Sequence, residues 1–247
     1  MSYFTHAQDR SAPLAGLGWT GRKCCTRLGP CLGSAGHEVI TRAALGSGTI
    51  PFTVGTRRLT LTLSPAEQNL IVEANVDVDF GSSCQALTQA FAPAEQRKHA
   101  LRATYGQSTA DALRDILTEF FGQHRGILRE RVPAERLRRI GRLLHLLQDS
   151  FSPAHTDRDP GAAWCVRYVR NFGRGRAPRE HGKPSDDRDL VTHGPSATAR
   201  RQATVASQQY LQLVAKALHG VTAGDPTATT EAEAEVRRFA AGVFRLC

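Results

Sequence analysis

The stretch LHLLQDSFSPAH, from Leu144 to His155, sets two imidazoles and a carboxylate into a run of leucines. His145 and Asp149 stand four residues apart, so on a helix they share one face, about 6 Å along the axis. Side chains so placed can share one metal ion or hold adjacent ions, and zinc accepts imidazole together with carboxylate. The same spacing also serves a plain hydrogen-bonded pair. Pro153 stops the helix, and His155 returns toward the same face from an irregular segment. His37, His99 and His181 each lie near a carboxylate in sequence and widen the set of candidate ligands.

Presenting that pair requires a helix. It is expected to open at Pro133 and reach Asp149 or Ser150. Leu137, Ile140, Leu144, Leu147 and Phe151 recur at three- and four-residue steps and form its buried stripe. Arg136, Arg138, Arg139 and Arg142 form its solvated face. Upstream, HEVITRAAL reads as a first helix, stopped at Gly46-Ser47-Gly48. The alternation in TIPFTVGTRRLTLTLS predicts an extended segment or short hairpin over 49–63. Ser64-Pro65-Ala66-Glu67 is a capping box that opens a helix to about Val76. Pro93 opens another through Tyr105, and Ser108 caps a third through Phe121. Residues 157–195 show little period and read as a long loop. Within it, Asn171 to Lys183 is basic and Gly-rich, a solvated loop whose functional reading is capture of an anionic headgroup or phosphate backbone. Two helices close the chain, over 196–219 and 230–245, the second capped by Thr230 and Glu233.

These elements predict a mainly α, single-domain, multi-helix bundle over 36–247, preceded by an irregular leader over 1–35. The leader lacks the apolar central region of a secretory signal. No apolar run approaches the roughly 18 residues of a membrane-spanning helix. Lys and Arg number 32 against 23 Asp and Glu, a net charge of +9 that favours anionic partners. The six cysteines form no CxxC pair and read as free thiols. His124 reads as a residue at a helix C-terminus, His193 and His219 as surface or capping residues, and Phe120, Phe121 and Phe151 as core.

RRIGRLLHLLQDSFSPAHT resembles the H-x-x-x-D-x-x-x-P-x-H signature of the zinc-dependent phospholipase C and single-strand-specific nuclease superfamily, with His145, Asp149, Pro153 and His155 in register. HEVITRAAL resembles that family's first histidine helix, and EQRKHALRA the next. EANVDVDF resembles the segment that supplies a carboxylate, and REHGKPSDDRD stands where the last ligand pair falls. The motifs keep their order along roughly residues 35–190. Two departures stand out. The carboxylate after His181 is Asp186, five residues on rather than four. Family members also hold one zinc through an N-terminal tryptophan just before the first histidine, whereas Trp19 lies eighteen residues before His37.

The resemblance implies a multi-helix bundle that holds two or three zinc ions and hydrolyses phosphodiesters. It implies one zinc on Asp79, His99, His145 and Asp149, with Asp77 a close rival to Asp79. Asp149 would bridge to a second zinc on His37, and a third would take His155, His181 and Asp186. Asp79 is the candidate general base. It further implies an exported protein. The substrate expected is a phospholipid at a membrane surface, cleaved to diacylglycerol and a phosphorylated headgroup. The alternatives are single-stranded nucleic acid, or a non-catalytic helical protein with a remnant metal site. Aromatic residues are only 6% of the chain, which tilts the expectation away from base stacking.

Overall fold

A computed structural model of the chain describes residues 34–80, 93–159, 164–171 and 195–247. Seven helices and two small hairpins occupy those residues, so the mainly α expectation holds. The leader expected over 1–35 lies outside them up to residue 33, its last two residues opening a helix, and most of the loop expected over 157–195 lies outside them too.

Helix α1 (Ser34–Leu45) leads through a Gly46 turn into the hairpin of β1 (Thr49–Val54) and β2 (Arg57–Thr62). The hairpin buries Ile50 and Phe52 from one face of β1, and β1 packs on helix α6 (Pro195–Ala223). The capping box at Ser64 forms as expected: the Glu67 carboxylate accepts from the Ser64 amide at 2.8 Å, and the Ser64 hydroxyl accepts from the Glu67 amide at 3.3 Å. Helix α2 (Pro65–Phe80) then runs one turn beyond the expected end at Val76.

Helix α3 (Pro93–Lys98) is much shorter than expected. Leu101 N–H donates to Gln96 O and Ala100 N–H to Arg97 O, and Ala100 has φ +51°. This is a Schellman stop with alanine in place of the usual glycine. Alanine in that backbone region costs roughly 1–2 kcal/mol, so no glycine marks the stop in the sequence. Helix α4 (Thr109–Arg129) starts at the Ser108 cap, as expected, but continues past Phe121 by two turns.

Helix α5 (Pro133–Asp149) has the expected bounds and is the centre of the fold. It touches α1, α2, α3, α4 and α6. From Ile140 to Asp149 every residue but Arg142 is buried. The arginines on its first half remain half-exposed, and Arg138 and Arg142 pair with Glu135 while Arg139 pairs with Glu130. A second hairpin, β3 (Thr156–Arg158) with β4 (Val166–Val169), corrects the expectation of an unbroken loop after 157. Arg158 is the staple here. Its guanidinium donates to Ser150 O at 2.7 Å, to Trp164 O at 2.6 Å and to Val243 O at 2.9 Å. It thereby satisfies carbonyls at the ends of α5 and of helix α7 (Pro226–Val243). The cap of α7 is Asp225, not Thr230: its carboxylate accepts from the Thr227 and Ala228 amides. Cys165 and Cys247 form a disulfide, which corrects the free-thiol expectation for that pair; the other four cysteines lie outside the described residues.

Helices α2 and α5 meet at backbone distance. A Cβ on Gly141 would stand 2.2 Å from Ile71 O, 3.0 Å from Asn75 N and 3.1 Å from Ala74 Cβ. Only glycine fits that crossing. Gly141→Ala is expected to cost on the order of 2–3 kcal/mol, overriding alanine's better helix propensity of about 1 kcal/mol. The denaturation midpoint in urea measures it; an unchanged or raised midpoint contradicts this packing.

Candidate metal centre

Four segments deliver imidazoles to one carboxylate. His37 comes from the first turn of α1, His99 from the residue after α3, His145 from α5 and His155 from the turn that follows α5. Asp149, 2% exposed in its side chain, lies at their centre. Its Oδ2 is 2.9 Å from His145 Nε2, 3.1 Å from His99 Nδ1 and 3.7 Å from His155 Nδ1. Its Oδ1 is 3.1 Å from His37 Nε2. The rings of His37 and His145 stack at 4.2 Å, and that of His99 stands edge-on to His145 at 4.9 Å.

The local sequence explains the aim of each ring. On α5 the four-residue step puts His145 and Asp149 on one face, and the helix is buried all round at that level. The Schellman stop ends α3 where it does and leaves His99 at the helix end, facing α5. Ser150 caps α5, and the turn through Ser152 brings His155 back: His155 N–H donates to Ser152 O at 3.0 Å. Arg170 N–H on the extended segment after β4 then holds His155 O at 2.8 Å.

Proton placement decides what the cluster can do. His145 Nδ1 lies 2.9 Å from Asn75 O and His155 Nδ1 lies 2.6 Å from His99 O. Backbone carbonyls only accept, so both rings carry hydrogen on Nδ1. A neutral His145 therefore turns an Nε2 lone pair toward the Asp149 carboxylate at 2.9 Å and toward His99 Nδ1 at 3.0 Å. That lone pair and the carboxylate repel at such a distance unless a proton or a metal ion lies between them. Protons on every ring would leave several positive charges on one buried carboxylate, a costly arrangement. One divalent ion removes the conflict. Burial alone would push the Asp149 carboxyl up; positive charge on the facing His145, His155 and His37 outweighs it and holds the group well below the usual carboxylate range.

The donor set fits a metal. His37, His145 and Asp149 offer ligand atoms within 4.8 Å of one another, a buried group that could hold an ion. His145 Nε2, His99 Nδ1 and Asp149 Oδ2 form a triangle with edges of 2.9–3.1 Å. Such edges suit ligand atoms each about 2.0–2.2 Å from one ion. His145, whose far nitrogen is fixed by a carbonyl, also shows the outer-shell pattern of metal-binding histidines.

Other expected ligands are not joined to this group by the structure. Asp79 stands in the last turn of α2, with its side chain outside the described set, and His181 and Asp186 lie outside the described residues. Asp77, the rival, is exposed, and partial burial raises its carboxyl while Arg142 and Arg138 oppose the rise. The sequence reading overlooked Gln148, Asn75, Thr41 and Ser207, all buried against the cluster. Gln148 and Asn75 are polar residues inside apolar runs, which was the available signal. Compared with protein-family models, curated proteins and solved structures, the chain matches none.

His124 corrects a second expectation. It does not stand at a helix end but lies buried within α4, with Nδ1 2.9 Å from the Tyr210 hydroxyl and Nε2 without a hydrogen-bond partner among the described residues. Burial lowers its pKa to about 4 from 6.5. The unfolded chain takes up a proton below pH 6.5 and the folded ring does not until about 4. The neutral ring's contribution is thus whole above 6.5 and lost as the pH falls toward 4, on the order of 3 kcal/mol. His124→Asn, which keeps an acceptor for Tyr210, should flatten the acid side of the stability–pH curve by about that amount. Parallel curves for the two proteins would show that His124 titrates normally.

Proposed function

We propose that this chain is a zinc-dependent phosphodiester hydrolase of the phospholipase C kind. The observation that carries the reading is the convergence of His37, His99, His145 and His155 on Asp149, from four segments in the order of the motifs. The two oxygens of Asp149 face different imidazoles, Oδ1 toward His37 and Oδ2 toward His99 and His145. That division suits a carboxylate that serves two ions. Zinc held there supplies a water nucleophile at neutral pH and positive charge for the phosphoryl oxygens. The chain's own part is to fix the ligands, exclude bulk water from Asp149 and leave an opening. His99, at 12% exposure, is the most open of the rings around the carboxylate. The roles of Asp79 as general base, and of His181 and Asp186 as ligands of a further zinc, rest on the resemblance alone.

Lipid is the favoured substrate class. Single-strand binders present exposed aromatic rings on which bases stack. Here Phe120, Tyr210, Phe151 and Phe244 are buried, and Tyr105 is the only aromatic among the exposed large apolar side chains of the described residues. The net charge of +9 suits an anionic headgroup and a phosphate backbone alike. No helix among the described residues is long and apolar enough to cross a membrane, so contact with lipid would be made from the surface.

Elemental analysis of the purified protein is expected to give at least two zinc ions per chain, and fewer would indicate a remnant site. Phosphatidylcholine micelles are expected to release phosphocholine faster than heat-denatured DNA releases nucleotides; the reverse order would assign a nuclease. Asp149→Asn should lower zinc content and cut hydrolysis by roughly 100-fold or more. Full activity in that variant refutes the metal assignment.

A further inference from the structure

Of the imidazoles around Asp149, two have their tautomers dictated by backbone. His145 and His155 each face a carbonyl through Nδ1, and a carbonyl cannot donate. His37 differs. Its Nδ1 lies 2.9 Å from the side-chain amide of Gln148, a group that can present either an acceptor or a donor. Whether His37 turns a lone pair or an N–H toward Asp149 therefore depends on which way that amide points.

We infer that Gln148 is the positioning residue that makes His37 competent to bind metal, by presenting Oε1 to its Nδ1–H. The inference rests on the metal-centre reading above. The surroundings of Gln148 hold this orientation. Its Nε2 donates to the Thr41 hydroxyl at 2.9 Å and the Ser207 hydroxyl at 3.3 Å, so α1 and α6 both grip the amide. Asn75 Nδ2 donates to Gln148 Oε1 at 3.3 Å and to Thr41 Oγ1 at 3.0 Å. Turned over alone, Gln148 would set its NH2 against the NH2 of Asn75. Asn75 thus steers both stacked rings: its backbone oxygen fixes His145 and its side chain fixes the amide that fixes His37. Turning both amides over gives the competing state. Gln148 would then donate to His37 Nδ1, His37 would donate from Nε2 to Asp149 Oδ1, and the lone pair needed by an ion would be gone.

Gln148 and Asp149 are adjacent on α5 and act on opposite sides of His37, one on each ring nitrogen. An outer partner of this kind typically changes metal affinity by 10–100-fold when removed.

The test uses the full chain and zinc itself. Gln148→Met keeps the side chain's length and removes the acceptor; Gln148→Glu keeps an acceptor and removes the donor. Zinc affinity is read by competition with a chromophoric chelator. The His37 tautomer is read by 15N NMR on metal-free protein near pH 8, above the usual imidazole titration. In wild type and Gln148→Glu, His37 should carry hydrogen on Nδ1, with zinc affinities within about threefold of each other. Gln148→Met should bind zinc 10–100-fold more weakly, with the Nδ1–H form no longer dominant. Wild-type His37 protonated on Nε2, or wild-type zinc affinity in Gln148→Met, overturns the inference. If Gln148→Met does not fold, a Glu variant that loses zinc affinity by tenfold or more overturns it as well. Failure of the metal reading looks different: wild type binds no zinc, while the tautomer still follows residue 148.

Discussion

A carboxylate buried at the middle of a helical bundle cannot stand alone. Desolvating an uncompensated charge costs several kcal/mol even after the protein relaxes. Asp149 is nearly inaccessible, and what surrounds it is not a guanidinium or an ammonium but a ring of imidazoles. One of those rings, His145, has the hydrogen of its Nδ1 fixed on the side away from the carboxylate by the Asn75 carbonyl. The positive charge that the carboxylate needs must therefore come from protons on these rings or from a metal ion, and the buried donor set could hold such an ion. Arginine would have neutralised Asp149 more simply, but it would have closed the coordination positions for good.

The fold follows from that constraint. Helix α5 must be apolar all round where it crosses the core and yet carry His145, Gln148 and Asp149 within two turns. Each of those polar groups then needs partners from outside the helix. The first comes from α2, whose Asn75 carbonyl meets His145; the close approach permitted by Gly141 brings that carbonyl within reach. Others come from Thr41 on α1 and Ser207 on α6. The C-terminal end of α5 has its own difficulty, since last-turn carbonyls lack helical partners. Arg158 satisfies the Ser150 carbonyl and ties it to the end of α7. The disulfide between Cys165 and Cys247 fastens the chain's last residue to the same corner. The turn carrying His155 is therefore held from both sides.

How much of this was readable in the sequence depends on whether a feature is local. Caps at Ser64 and Ser108, the β1–β2 alternation and the bounds of α5 follow from contacts within a few residues, and the sequence carried them. Features that depend on partners far along the chain did not show. Ala100 takes a left-handed conformation that its identity disfavours, so the stop of α3 left no glycine behind. Cys165 and Cys247 are separated by 82 positions, and only the parallel approach of Val166 to Leu246 explains their meeting. His124 looked like a terminal residue because the helix was expected to end at Phe121; two further turns carry it into the core against Tyr210. The candidate ligands were legible as residue types at motif spacings, whereas their convergence on one carboxylate was a property of packing.

Residues outside the ligand shell decide more here than the ligand list suggests. Any bundle can place histidines near an aspartate, and most such sets settle into ordinary hydrogen bonds. Which outcome obtains depends on the far nitrogen of each ring. A backbone carbonyl at that nitrogen admits one proton arrangement only, and so commits the near nitrogen to a lone pair. This chain uses a carbonyl for His145, drawn from α2; in His155 the carbonyl of His99 holds the nitrogen nearer the carboxylate. His37 is bound to an amide instead, and amides have two faces. The stability of the bundle and the chemistry of the cluster therefore share one set of hydrogen bonds. Thr41, Asn75, Gln148 and Ser207 are joined by these hydrogen bonds, with Asn75 Oδ1 left without a partner among the described residues, and the direction of the bonds sets the charge pattern that Asp149 sees.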